Sequence, residues 1–286
     1  MNTQFWLIQA FNGISYGALL FLVGSGLSLI FGVMRIVNLS HGSYFLLGGY
    51  AALSVIWTTG SWALALPVAG LSIAVVGLLM ERIFLRPLGF DPLRQVLLTV
   101  GFAFLFQQAA LDIWTGNNFD ITPPEALTKT VVVGGMYLPL YRIFMIATAA
   151  AIGIALWLVM EKTRMGAAVR ATVDDAQMAR GVGIDTSRIS MFIFALGALL
   201  AALGGVIGGA FLGIYPGLDF EMLPIAFAVV IIGGMGSLGG AAIGALLVGL
   251  ADNFGKALFP EVSYFTLYAP MALILAVKPT GLFGRE

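Results

Sequence analysis

Between residues 38 and 42 the chain sets an amide, a hydroxyl and its only imidazole in one short run, Asn38-Leu39-Ser40-His41-Gly42, with long apolar stretches on both sides. Such groups donate and accept hydrogen bonds without a fixed charge. In apolar surroundings they face a cavity or a partner helix. Ser40 is placed to cap a helix that begins near Gly42. His41 has a plainer role open to it as well, a bond to a neighbouring carbonyl at a helix cap. A metal site is not expected, because one His with no Cys and no adjoining carboxylates offers too few ligands.

Further polar residues lie in apolar runs. Thr99, Gln107 and Gln108 occupy the stretch 95–113, and Thr99 and Gln107, eight residues apart, fall within about 80° of each other on a helix. Asn12, Ser15 and Tyr16 share one face by i, i+3, i+4 spacing. These faces suit either of two tasks. They can line a path for a polar or zwitterionic solute, or they can make interhelical hydrogen bonds, which contribute about 0.6 kcal/mol each in membrane bundles. No arrangement of nucleophile, base and acid emerges, so no catalytic residue is expected. No G-x-x-x-x-G-K-[ST] occurs either, so the chain is not expected to hold ATP phosphates, or any cofactor, by itself.

A different pattern fills Glu161–Ser190. Thr172 and Asp175 have capping-box spacing, and Asp174, Asp175, Ala176, Gln177, Met178, Ala179 and Arg180 then read as a short helix stopping at Gly181, a C-cap signal. Acid at its start and Arg180 at its end suit the helix dipole. Ala176 and Ala179 are small enough for a partner surface to approach closely. A connection of this length is long for a mere link.

The elements that position these groups follow from charge. Sixty per cent of residues are hydrophobic and 10% charged, whereas a soluble domain carries roughly 25% charged residues. So few charges do not cover a globule of 286 residues, and the outer surface must face lipid. Formal net charge is zero, and nothing points to nucleic acid. The charges gather between runs that contain none: 5–34, 36–80, 95–111, 143–160, 189–218, 222–251 and 262–277. A span needs about 20 apolar residues, so the second run divides at Thr58–Gly60 into helices near 42–57 and 62–84. The sixth divides at Gly233–Gly240 into 222–232 and 241–259. An all-α polytopic bundle of eight to nine membrane segments results, with discontinuous or re-entrant pieces. It is expected to form a single domain over residues 1–286. No Asp, Glu, Arg or Lys is expected in the middle of a span, which disfavours proton- and ion-driven carriers. Glycine pairs at small-xxx-small spacing (Gly13/Gly17, Gly204/Gly208, Gly205/Gly209, Gly240/Gly244) predict close helix crossings.

Arg35 is the first Lys or Arg in the chain, so the first apolar run lacks the basic start of a cleaved signal and is expected to be kept. If the N-terminus is outside and each segment crosses, three cations lie outside: Lys129, Arg142 and Lys256. The other eleven of the 14, from Arg35 to Arg285, lie inside, as the positive-inside rule requires. The loop 115–141 is then outside and the loop 161–188 inside, with a periplasmic N-terminus and a cytoplasmic C-terminus.

The segment AxxxDDAxxARxxGID in the inner loop resembles the cytoplasmic coupling loop of ABC importer permeases of the branched-chain amino-acid (Liv-type) branch. Gly32–Tyr50, Glu81–Gly101 with the following FLFQQAALDIWTG, and Phe227–Leu250 resemble the same family in the same order along the chain. The resemblance implies a permease of the bacterial inner membrane, paired with a homologous second permease subunit. It implies two cytoplasmic ATPase subunits, each gripping a coupling helix and holding the ATP, and a periplasmic solute-binding protein at the outer face. Branched-chain amino acids are the implied solute, although the family also handles urea and short amides. Of the other classes, a stand-alone carrier or facilitator is disfavoured by the coupling loop. A membrane enzyme is disfavoured by the missing catalytic cluster.

Overall fold

A computed structural model of the protein describes residues 3–89 and 91–284, and of Tyr264 the backbone alone. Arg285, counted among the inner cations, lies outside the described residues. In chain order the elements are α1 (Thr3–Met34), α2 (His41–Thr59), α3 (Trp62–Met80), α4 (Pro92–Trp114), β1 (Thr130–Val133), β2 (Met136–Pro139) and α5 (Leu140–Lys162). There follow α6 (Arg164–Asp174), α7 (Ala176–Gly181), α8 (Thr186–Leu212), α9 (Leu218–Gly233), α10 (Leu238–Leu258) and α11 (Ser263–Val277). A π turn, Glu81–Leu85, and a 3-10 turn, Arg86–Leu88, prolong α3.

The nine expected segments correspond to α1–α5 and α8–α11. Six helices are long and apolar enough to cross a membrane: α1, α3 with its extension, α4, α5, α8 and α10. Local signals set several boundaries. Asp91 caps α4 through Arg94 N at 3.2 Å, with Pro92 at the first helical position. Ser61 caps α3 through Leu64 N, and Ser237 caps α10 through Gly240 N at 3.0 Å. The start of α9 differs from the expectation. It begins at Leu218 rather than 222 and takes Asp219 and Glu221 into its first turn, where acidic side chains complement the positive end of the helix dipole.

The core joins α1, α2, α8, α9 and α10. Gly205 shows how closely the helices approach. A Cβ there would sit 1.9 Å from the Phe45 carbonyl oxygen, so α8 meets α2 backbone to backbone, as small-residue spacing predicts.

Two connections turn back into the bundle. After α1 the chain folds inward, and His41 bonds to the Val23 carbonyl. Val23 lies eleven residues, or about 16 Å, before the end of α1. After α8, residues 213–217 descend until Asp219 meets Ser43 in the first turn of α2. Both α2 and α9 therefore begin inside the bundle.

The loop 115–141 forms the antiparallel hairpin β1–β2, paired from Thr130↔Pro139 to Val133↔Met136, with a Gly134-Gly135 turn of the kind that matches strand twist. Phe119 and Ile214 exchange backbone bonds at 2.8 and 2.7 Å, tying this loop to the connection between α8 and α9.

Candidate functional site

The turn into α2 assembles four of the expected polar residues. Asn38, Ser40, His41 and Thr99 are all fully buried. Asn38 Oδ1 accepts from Ser40 N at 3.2 Å and from Ser40 Oγ at 2.7 Å. Thr99 Oγ1 accepts from Leu39 N at 3.2 Å and donates to the Val96 carbonyl, fixing the turn against α4. His41 Nε2 lies 2.9 Å from the Val23 carbonyl. A carbonyl only accepts, so Nε2 carries the proton.

Ser40 stands at the N-cap of α2, but its side chain does not cap. The hydroxyl donates to the Asn38 amide oxygen instead. Tyr44, one turn further along, donates to Met80 Sδ at 2.9 Å, and its ring packs against His41, Phe106 and Phe194. Tyr44 was legible as the i+4 neighbour of Ser40. Met80 gave no signal, since it arrives from the far end of α3.

The other path candidates lie elsewhere. Asn12 accepts a hydrogen bond from the Arg142 guanidinium, which also stacks 4.9 Å from the Phe211 ring. Eleven residues separate Asn12 from Val23, about 16 Å along α1, so it joins an arginine site toward the hairpin end. Gln107 is half-buried about 12 Å along α4 from Thr99. Gln108 is exposed and donates to Asp112 at 2.9 Å.

Two acidic side chains are nonetheless buried toward helix ends. Asp252 is buried in α10 and paired with Lys256 at 2.8 Å, and Asp219 is buried where α9 meets α2. The sequence hid Asp219 because charge there reads as the edge of a loop, whereas the chain has already re-entered the bundle.

At the other end, two helices replace the single one expected in 161–188. Thr163 caps α6 through Gly166 N at 3.1 Å, and Arg170 reaches back to the Met160 carbonyl and toward Glu161. Thr172 is not a cap. It sits inside α6, its hydroxyl bonded to the Ala168 carbonyl. Asp175 alone caps α7, accepting from Gln177 N at 2.8 Å and Met178 N at 2.9 Å.

The expected C-cap also moves. Gly181 is the last helical residue, while Gly183 takes the left-handed conformation at φ 89°. Ile184 N bonds to the Ala179 carbonyl and Gly183 N to the Arg180 carbonyl, which is the Schellman closure. Ala179 is buried and so does not offer itself to a partner, and Ala176 is half-buried. Asp174 and Arg180 are exposed, with Arg180 Nε bonded to the Ala176 carbonyl. Met178 and Val182, 65% and 70% exposed, present the apolar surface of the arm.

Comparison with known proteins places this geometry. Residues 9–275 match the family model described as branched-chain amino acid transport system / permease component. The high-affinity branched-chain amino acid transport system permease protein LivH of Escherichia coli is 31% identical, over 100% of this chain and 98% of the relative. BraD, named for the same system in Pseudomonas aeruginosa, is 27% identical over 98% and 96%. A second Escherichia coli permease of that name, LivM, is 27% identical over 91% of this chain and 67% of its own length.

Proposed function

The chain belongs to the branched-chain amino acid transport system permease family, and from that premise we propose that it forms half of the pore of an ATP-driven importer of leucine, isoleucine and valine. The observation that carries the coupling half of this reading is the α6–α7 arm. It is a short, firmly capped helix held outside the bundle, with Met178 and Val182 bare. Apolar side chains on so small an element call for a cover. A nucleotide-binding subunit gripping α7 supplies one, and its movement on ATP binding passes through α6 into α5 and α8. Asp174, Asp175, Ala176, Ala179, Arg180 and Gly181 belong to this handle, Asp175 as its cap and Ala179 as its internal contact.

The likeness of one chain to both LivH and LivM of a single organism supports a pore of two homologous permeases. The bias of Lys and Arg toward the arm end supports a cytoplasmic arm, a periplasmic hairpin and residence in the bacterial inner membrane. A periplasmic binding protein then delivers solute at the end that carries β1–β2. Asn38, Ser40, His41 and Thr99 are the part of the candidate path that the fold brings together.

Uptake in a strain lacking this chain tests the substrate. Expression of the chain with its partners restores leucine uptake, and isoleucine and valine compete. Restoration of urea or amide uptake without leucine uptake contradicts the substrate assignment.

A further inference from the structure

Asp219 is a buried acidic side chain without an ionic partner. Its side chain is 2% exposed, and among the described residues no Lys, Arg or His pairs with it. One carboxylate oxygen, Oδ2, accepts from Ser43 Oγ at 3.1 Å, and Oδ1 meets no side-chain partner, the backbone N–H groups of Asp219 and Phe220 being its nearest donors. Tyr50 lies seven residues beyond Ser43, two turns along the same face of α2. It too is fully buried, and its hydroxyl likewise meets no partner. Stacking on Trp114 at 5.0 Å holds its ring, and Phe119, bridged to Ile214, closes its edge. An acceptor and a hydroxyl thus border the same re-entrant stretch, Ile214–Asp219.

Burying a lone carboxylate is costly unless positive charge offsets it. The first turns of α2 and α9 converge here, each equivalent to roughly half a positive charge. Together they about cancel the carboxylate. A bare cation entering this place would leave it charged, whereas a zwitterion adds no net charge. Its ammonium has Oδ1 and a phenolic oxygen to bond, and its carboxylate is favoured by the helix N-termini. We infer that Asp219, oriented by Ser43 and faced by Tyr50, receives the α-ammonium group of the transported amino acid. The inference rests on the amino-acid permease reading and sharpens it, since urea and neutral amides carry no cation for this carboxylate.

The test uses the complete transport complex in proteoliposomes. Asp219→Asn keeps the size and the acceptor for Ser43 but removes the charge. Leucine uptake falls roughly 10- to 100-fold, the scale of a lost charge-assisted hydrogen bond, while ATP hydrolysis stimulated by loaded binding protein persists. Asp219→Glu recovers part of the uptake. Uptake by Asp219→Asn at the wild-type rate overturns the inference alone. A wild-type complex that imports no amino acid overturns the permease reading and this inference with it.

Carbodiimide labelling of Asp219 in the wild-type complex, read by peptide mass, does not depend on a variant folding. Leucine protects Asp219, and isocaproate, which has the same side chain and carboxylate but no ammonium, does not. Equal protection by both, or by neither, overturns the inference.

Discussion

In the interior of the bundle, α8 crosses α2 with nothing larger than a hydrogen atom between their backbones at Gly205. In the α6–α7 arm, order comes from the Thr163 hydroxyl cap, the Asp175 carboxyl cap and one left-handed glycine, with most of α7 exposed. The interior resists change because any added atom must displace backbone on a second helix. The arm tolerates change because its groups are exposed, and so it can be altered without unfolding the chain. A path and a handle call for this division: one part keeps its shape while the other is gripped and moved.

The largest expected effect comes from putting the same methyl at a crowded glycine of the bundle and at an open one. Gly205→Ala forces a methyl into the Phe45 carbonyl, and a loss of about 3 kcal/mol or more follows. The variant yields little monodisperse protein in detergent and melts well below wild type. Gly101→Ala, on the open side of α4 with no atom within 4 Å of the new carbon, melts at or slightly above wild type, because Ala favours a helix by ~0.5–1 kcal/mol. Equal loss in both would mean that α8 and α2 are not in backbone contact.

In the arm the expected effects are smaller and functional. Gly183→Val places a β-branched residue at φ 89°, a cost of about 1–2 kcal/mol. Asp175→Ala removes both bonds to the first turn of α7, a cost of ~1 kcal/mol. Both variants accumulate and melt like wild type, because the strain is confined to α7. Both lose leucine uptake and hold the ATPase subunits less firmly in pull-down. Smallest is Gly181→Val, two residues away, with helical backbone and no neighbour within 4 Å. It transports at close to the wild-type rate. If Gly181→Val is the more damaging of the two glycine variants, the Schellman closure at Gly183 is misassigned.

These contrasts also show what the sequence made legible. The membrane helices were readable because lipid excludes charge, so charge-free runs such as 143–160 map directly onto α5. Thr130–Val133 forms β1 for another local reason, its β-branched side chains followed by a Gly-Gly turn. What failed were features set by distant contacts. Thr172 and Asp175 have capping-box spacing, but Thr172 lies inside α6, a helix whose start depends on Thr163 and on the reach of Arg170 to α5. Gly181 and Gly183 are alike in sequence, and only the bonds from Gly183 N and Ile184 N separate them. Of the candidate path, Asn38, Ser40 and His41 were legible as neighbours in the chain. Thr99 joins them through the Leu39 backbone, whereas Asn12 is claimed by Arg142 from another helix. Asp219 was misread because depth within the bundle depends on how far residues 213–217 descend.

In the proposed assembly the arm is the handle for a nucleotide-binding subunit and the hairpin end is not. The chain has no cysteine, so an introduced thiol is the single site on it that a thiol-directed cross-linker modifies. Met178→Cys in α7 and Tyr137→Cys in β2 replace side chains that are 65% and 74% exposed. In native membranes, a short thiol-directed photo-cross-linker on Met178→Cys gives a covalent adduct that contains the nucleotide-binding subunit, and the same reagent on Tyr137→Cys gives none. An adduct with that subunit from Tyr137→Cys and none from Met178→Cys would contradict the account.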